Sequence, residues 1–315
     1  MGKLMHGRNS GIFDVTSLNK MARSSKDVFL GIVTAIILIG VSYTILAPVI
    51  GIFAVSLMSV DDMFSPTVFL IPENPSLMNL RNAVIHLGYL DMLRRAFFYA
   101  FGMGLLHVLV ASFVGYGFAR YRFWGNRFLL GMVILTLLVP AQSYVVPLFL
   151  TFRFFGPTNV NLIGSYATML ILTATGVGLR SGLFIYIFRQ FFKGMPTELS
   201  EAALIDGAGP MRTYAVVMMP NAKPAIVTVM LLAMVWHYGD MFYSELLLPG
   251  IRLMHIALGG VMGSYMGVFG NFGAYSRAQM VLFGGITLVI APIMIIYAIL
   301  QRQFIEGIER SGIVG

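Results

Sequence analysis

Apolar residues run along this chain in long blocks separated by short charged segments. Residues 28–60 contain no Asp, Glu, Lys or Arg, and neither do 96–119, 128–152 or 278–301. An apolar run of about 18 residues or more without charge reads as a membrane-crossing helix. Two further blocks are interrupted by charge: 162–188 by Arg180, and 224–248 by Asp240 and Glu245. Counting both predicts an all-α, polytopic membrane protein with six transmembrane helices. The first block is 33 residues long. At about 1.5 Å per residue it would exceed the ~30 Å hydrocarbon core, so it projects beyond the membrane, and Pro48 is placed to kink it.

Lys and Arg in the loops orient the spans. With both ends inside, the cytoplasmic segments hold fourteen basic residues and the outer segments six, with Arg180 inside a span. The division that follows is a cytoplasmic N-terminal tail at 1–27, a six-span domain at 28–301 and a cytoplasmic C-terminal tail at 302–315. The polar lead of about 27 residues and the length of the first block do not fit a secretory signal. Two outer loops are long. One, 61–95, carries Pro66, Pro72 and Pro75; the other, 252–277, carries Gly259, Gly260, Gly263, Gly267, Gly270 and Gly273. Such glycines favour irregular or bent backbone.

Composition agrees with a membrane class. Apolar residues make up 58% of the 315, and only 11% are charged, against about 25% charged in soluble domains. The net charge of +8 is scattered between apolar runs, which suits membrane topology and argues against nucleic acid. With no cysteine, thiolate catalysis, disulfides and Cys-based metal sites are excluded. There is no Gly-Lys-Ser/Thr phosphate loop, no H-E-x-x-H and no G-x-S-x-G. The histidines His6, His86, His107, His237 and His255 are widely separated. The chain is not expected to be an enzyme.

The segment between the fourth and fifth blocks is the most informative. Pro196-Thr-Glu-Leu-Ser-Glu201 starts like a helix, with Thr197 as a cap and acids in the first turn. Ala202, Ala203, Leu204 and Ile205 extend it. Gly207, Gly209 and Pro210 break it, and a second helix runs on towards Pro220. Glu201-Ala202-Ala203 is followed by three residues and then Gly207; nine residues later comes Val217-Met-Met-Pro220. This register resembles the EAA loop of bacterial ABC importer permeases, E-A-A, three residues, G, nine residues, I-x-L-P. The wider stretch, with Asp206-Gly207-Ala208, the run between Pro140 and Pro147, and the terminal residues 301–315 are similar to the carbohydrate-uptake, maltose-type subfamily.

The resemblance implies a coupling helix that docks on a separate ATPase through Glu201, Ala202, Ala203, Asp206, Gly207 and Pro220. It also implies three kinds of partner: a second homologous permease, a pair of ATP-binding subunits that hold the ATP and Mg, and an extracytoplasmic solute-binding protein. This chain needs no cofactor of its own. The favoured cargo is a sugar or oligosaccharide. A permease for glycerol phosphate or a polyamine, and an ATP-independent secondary transporter, remain as alternatives.

Charged residues inside spans usually face a bundle interior or a water-filled cavity. Arg180 and Asp240 are therefore expected to line a pathway, paired with one another or meeting cargo hydroxyls. The stretch Trp236-His-Tyr238-Gly-Asp240-Met-Phe-Tyr243 mixes aromatics with a carboxylate, which suits sugar rings and hydroxyls. It is similar to the family's W-N-D/E-F stretch but has Tyr238 and Gly239 in place of Trp and Asn. Gln142 and Tyr144 lie between two prolines that can open a polar strip in the third span.

Overall fold

The computed structural model describes residues 15–269 and 274–310, with side chains at 26–268 and 275–302. Residues 1–14 and 311–315 of the two expected tails, and Gly270 and Gly273, lie outside the described residues. Among those described, every regular element is helical, and one isolated bridge joins Phe155 to Val160.

The chain opens with α1, Val15–Leu57, which carries Pro48 without interruption, and a short α2, Val60–Phe64. Then come α3, Met78–Leu87, and α4, Tyr89–Arg120. The expected outer segment 61–95 thus includes a packed helix and the first turns of α4. Next are α5, Asn126–Leu138, a 3₁₀ turn at Ala141–Tyr144, and α6, Val145–Arg153. They are followed by α7, Tyr166–Ala174, and α8, Ser181–Gly194. The loop that the sequence assigns to the cytoplasm carries α9, Glu198–Ile205, α10, Pro210–Arg212, and α11, Met219–Asn221. Beyond it lie α12, Lys223–Gly239, and α13, Phe242–Leu247. The last two are α14, Met254–Phe269, and α15, Ala274–Arg310.

Three stretches are single helices long and apolar enough to cross a membrane: Lys26–Leu57, Tyr89–Arg120 and Tyr275–Arg302. The expected third span is a pair, α5 and α6, bent by 99° at the proline-bearing junction. Pro140 has no N–H to donate and its ring crowds the preceding turn, which favours a break there, although α1 runs on through Pro48. The expected fourth span is likewise not continuous: α7 and α8 are separated by residues 175–180, and Arg180 sits at φ 59°. The fifth ends at Gly239 rather than running to 248. Counting each bent pair as one span gives up to five.

The glycine-rich outer segment is a correction. Gly259, Gly260, Gly263 and Gly267 lie inside α14, not in irregular backbone. Met254, Ala257, Val261 and Tyr265 are buried in one cluster with residues of α3, α4 and α15. That spacing is helical, and the packing of one apolar face overrides the weak helix propensity of glycine.

The core is built around α4, which packs mainly on α8 and α12. Phe184, Phe188 and Phe192 recur every four residues on α8 and are fully buried against it. The α4–α8 contact requires Gly115: a Cβ there would stand 2.8 Å from the Phe188 Cβ and 2.9 Å from the Arg189 backbone nitrogen. By contrast, the most apolar stretch of α1 buries nothing within the chain. Its side chains face surroundings that must themselves be apolar, lipid or another subunit.

Outside the spans, Asp62 fastens the loop that follows α1. Its carboxylate accepts hydrogen bonds from the Ser59 and Asn74 backbone N–H groups, and Ser59 Oγ accepts from the Asp62 N–H. Asn79 Nδ2 donates to the Ser56 and Met58 carbonyls. Burial pushes the Asp62 carboxyl up, but the bonds from Asn74 and Ser59 outweigh it and hold the group below the usual carboxylate value.

Gly115→Ala should lower the thermal midpoint of the detergent-purified protein, because the clash is with backbone and Cβ atoms that cannot swing away. Gly117→Ala, which meets nothing within 4 Å, should raise it, since Ala is favoured over Gly in a helix by about 1 kcal/mol. For Asp62 the folded value is depressed, so its stabilisation is present above the ordinary value of 3.8 and lost as pH falls through the lower folded value. Amide exchange at Asn74 should accelerate only there, and at every pH in Asp62→Ala.

Candidate functional site

Most of the sequence-predicted residues fall into two places, the loop that carries α9 and a cavity. In the loop, α9 has Glu198 and Glu201 in its first turn, where the helix dipole favours acids. Thr197 precedes it but makes no side-chain cap bond, having αR backbone. The helix stops in a turn in which the Gly207 N–H reaches the Leu204 carbonyl and the Ala208 N–H reaches that of Ala203. Gly207 takes φ 75° there, which a side chain would strain. Ala203 is buried beneath the loop; Glu201, Ala202, Asp206 and Gly207 are exposed. Leu204 is 57% and Ile205 87% exposed, an apolar tip next to acidic side chains.

The loop returns through α10, a π-helical turn at Thr213–Met218, and α11, which holds exposed Pro220. Pro220 cannot donate to the carbonyl four residues earlier, and the wider π turn precedes it. Both arms of the loop are bonded to α4. Arg120 Nη2 donates to the carbonyls of Met195 (2.9 Å) and Pro196 (3.3 Å). On the other arm, Tyr214 Oη and Ser112 Oγ share a hydrogen bond of 2.7 Å. Sequence reasoning missed Arg120, Ser112 and Tyr214, since nothing in their spacing marks them as partners.

The second place is a cavity of about 670 Å³ walled by the bend at Pro140, the break before α8 and the break after α12. Gln142, Tyr144, Arg180, Asp240 and Tyr243 all line it. Tyr144 Oη and Tyr243 Oη lie 2.9 Å apart. Trp236 does not line it but supports it: the Arg180 guanidinium stacks over its ring, 5.3 Å from the centroid. Tyr238 is on another face, donating to the Val289 carbonyl of α15 at 3.0 Å.

The expected Arg180–Asp240 pair does not form. Asp240 is committed to the start of α13, accepting from the Tyr243 N–H (3.2 Å), the Ser244 N–H (2.9 Å) and the Ser244 hydroxyl (2.9 Å). Three local donors at a helix N-terminus satisfy a carboxylate at less entropic cost than a long, mobile guanidinium. Arg180 is left facing the cavity, exposed. The fold also joins two residues that looked unrelated 130 positions apart: His107 Nε2 and His237 Nε2 are 3.0 Å apart in the core.

The chain resembles known proteins in sequence and in fold. The chain is 27% identical over 229 residues to the maltodextrin transport system permease protein MdxG of Bacillus subtilis, covering 72% of this chain and 76% of that one. It is 24% identical over 276 residues to the sn-glycerol-3-phosphate transport system permease protein UgpE of Escherichia coli, covering 85% and 92%. Its fold matches a chain in the crystal structure of a bacterial ABC transporter involved in the import of the acidic polysaccharide alginate. That match has a TM-score of 0.68 at 24% identity, covering 89% of this chain and 98% of that chain. A family model for the binding-protein-dependent transport system inner membrane component matches residues 96–310. With the helical membrane fold and the 201–220 loop, that match over more than half the chain places this protein in the binding-protein-dependent transport system inner membrane component family, the permease subunits of ABC importers.

Proposed function

We propose that this chain forms half of a pathway for a sugar or oligosaccharide and couples it to a separate ATPase through α9. The six crossings are α1, α4, α5 with α6, α7 with α8, α12 and α15. Both ends lie in the cytoplasm, as the fourteen-to-six distribution of basic residues favours. The permease domain then spans 28–301 between two cytoplasmic tails. The partners are a second homologous permease, two ATP-binding subunits carrying ATP and Mg, and an extracytoplasmic solute-binding protein. One observation carries the coupling reading: α9 offers exposed Leu204 and Ile205 at a turn whose arms are bonded to α4. A small apolar knob flanked by Glu201 and Asp206 suits insertion into a groove on another subunit.

The cargo reading rests on the cavity wall. Tyr144, Tyr243 and Gln142 supply hydroxyl and amide partners, and aromatic faces suit sugar rings. The maltodextrin relative favours the same class. A second reading, a phosphorylated small solute, is favoured by one observation: the Arg180 guanidinium faces the cavity while Asp240 is bonded elsewhere. The glycerol-3-phosphate relative belongs to that class.

Gly207→Asp should abolish co-purification of the ATP-binding subunit from native membranes while the second permease is retained. It strains a left-handed position and adds charge to the docking tip. Retention of the ATPase in normal yield would end the coupling reading. A ligand screen of the solute-binding protein decides between sugar and phosphate. With the cargo so identified, Arg180→Met should cut uptake by about tenfold or more, the scale of a lost charge-assisted hydrogen bond, with assembly intact. Undiminished uptake would remove Arg180 from the pathway.

A further inference from the structure

A chain of buried polar groups leaves the cavity wall and crosses the core. Ser181, the first residue of α8 and part of the cavity lining, lies 3.4 Å from His107 Nδ1 on α4. His107 Nε2 meets His237 Nε2 on α12 at 3.0 Å. His237 Nδ1 meets the Tyr99 hydroxyl on α4 at 3.5 Å. Tyr99 is buried in one cluster with Tyr243 and Leu247 of α13, the helix whose Ser244 hydroxyl donates to Asp240 on the cavity wall. Both histidines are 1% exposed. Phe184 packs edge-on against His107, and Tyr99 against His237.

A neutral imidazole has one donor and one acceptor nitrogen, so in the His107–His237 contact one Nε2 donates and the other accepts. The Nδ1 of each ring then takes the opposite role, towards Ser181 on one side and Tyr99 on the other. Both ring nitrogens of both histidines thereby have a partner. A buried network that is fully satisfied rigidifies its surroundings, whereas a broken one costs the desolvation of each orphaned group.

Its placement gives it a task. His107, Ser181 and His237 each lie 13 or 14 residues from the loop end of their helix, about 20 Å at helical rise. They form one polar layer at a common distance from the loop. Two of the helices, α8 and α12, are the ones that run directly into the α9 loop. The third, α4, holds both arms of that loop through Arg120 and Ser112.

We propose that Ser181, His107, His237, Tyr99 and Ser244 are positioning residues that tie the break at Arg180 to the break at Asp240, so that the cavity wall and the helices entering the α9 loop move as one body. The inference rests on the reading of the cavity as the pathway. Loop displacement by the ATPase then shifts both breaks together, and loses its grip on the cavity when the chain is cut.

The test uses the complete transporter in proteoliposomes, with Gln142→Cys as the labelling site in a chain that has no cysteine of its own. The readouts are ATP hydrolysis and the change in maleimide labelling rate on adding Mg and ATP. Tyr99→Phe and Ser181→Ala each delete one hydroxyl and keep the packing; His237→Leu cuts the middle. All three should assemble and hydrolyse ATP, while the ATP-driven labelling change shrinks about three- to tenfold, the scale of one lost net hydrogen bond. Tyr99→Phe combined with His237→Leu should be no worse than His237→Leu alone, since both cut one chain. His237→Gln, which can still pair with His107, should recover part of the effect.

A labelling change within twofold of the parent in all three variants overturns the proposal. So does loss of assembly in the two hydroxyl deletions, which would make the chain a folding element only. Failure of the pathway reading shows separately, in the Gln142→Cys parent itself, as a thiol that labels from neither side of the membrane.

Discussion

Backbone polar groups have no water to bond in hydrocarbon, so a membrane chain can leave the helical state only where it faces protein or a wet cavity. The rest of this structure depends on that constraint. Its three interior breaks, at Pro140, at residues 175–180 and at Asp240, all border one cavity. Each break is repaired locally. The Ser143 hydroxyl donates to the Pro140 carbonyl, the Val177 N–H reaches the Leu172 carbonyl, and Asp240 takes up the first N–H groups of α13. The polar wall of the cavity and the interruption of the helices are thus one feature.

Around the cavity the protein is closely packed on one side and leaves an apolar face uncovered on another. The phenylalanine ridge of α8 and the close approach at Gly115 clamp α4 to α8. Arg120, Ser112 and Tyr214 extend that clamp to the loop that carries α9. On the outside, α1 leaves its apolar surface uncovered.

Arg180 and Asp240 show how satisfaction of local groups decides a site. Opposite charges in a low-dielectric interior attract strongly, and pairing them is the simple expectation. The carboxylate finds three short-range donors in the turn that follows it, and these are already ordered by α13. The guanidinium finds the face of Trp236 instead. The outcome is a cavity with a cation available on its wall, which a simple ion pair would have hidden.

The sequence by itself determined the helical class, the apolar blocks, the break after Ile205 and the family. Those features follow from local properties: absence of charge over a membrane-length run, and the backbone freedom of Gly207 at φ 75°. It also picked out Gln142, Tyr144, Arg180, Asp240 and Tyr243 as polar residues in apolar surroundings, and the fold brings them to one cavity. The tertiary structure decided what depends on partners distant in the chain. Tyr238 turned to α15 because the Val289 carbonyl was there to accept its hydroxyl. The glycines of α14 became helical because Met254, Ala257, Val261 and Tyr265 of the same helix had a face to pack on. His107 and His237 became a pair because α4 and α12 pack face to face. No spacing in a sequence encodes such a meeting, since it is set by which faces of separate helices come together.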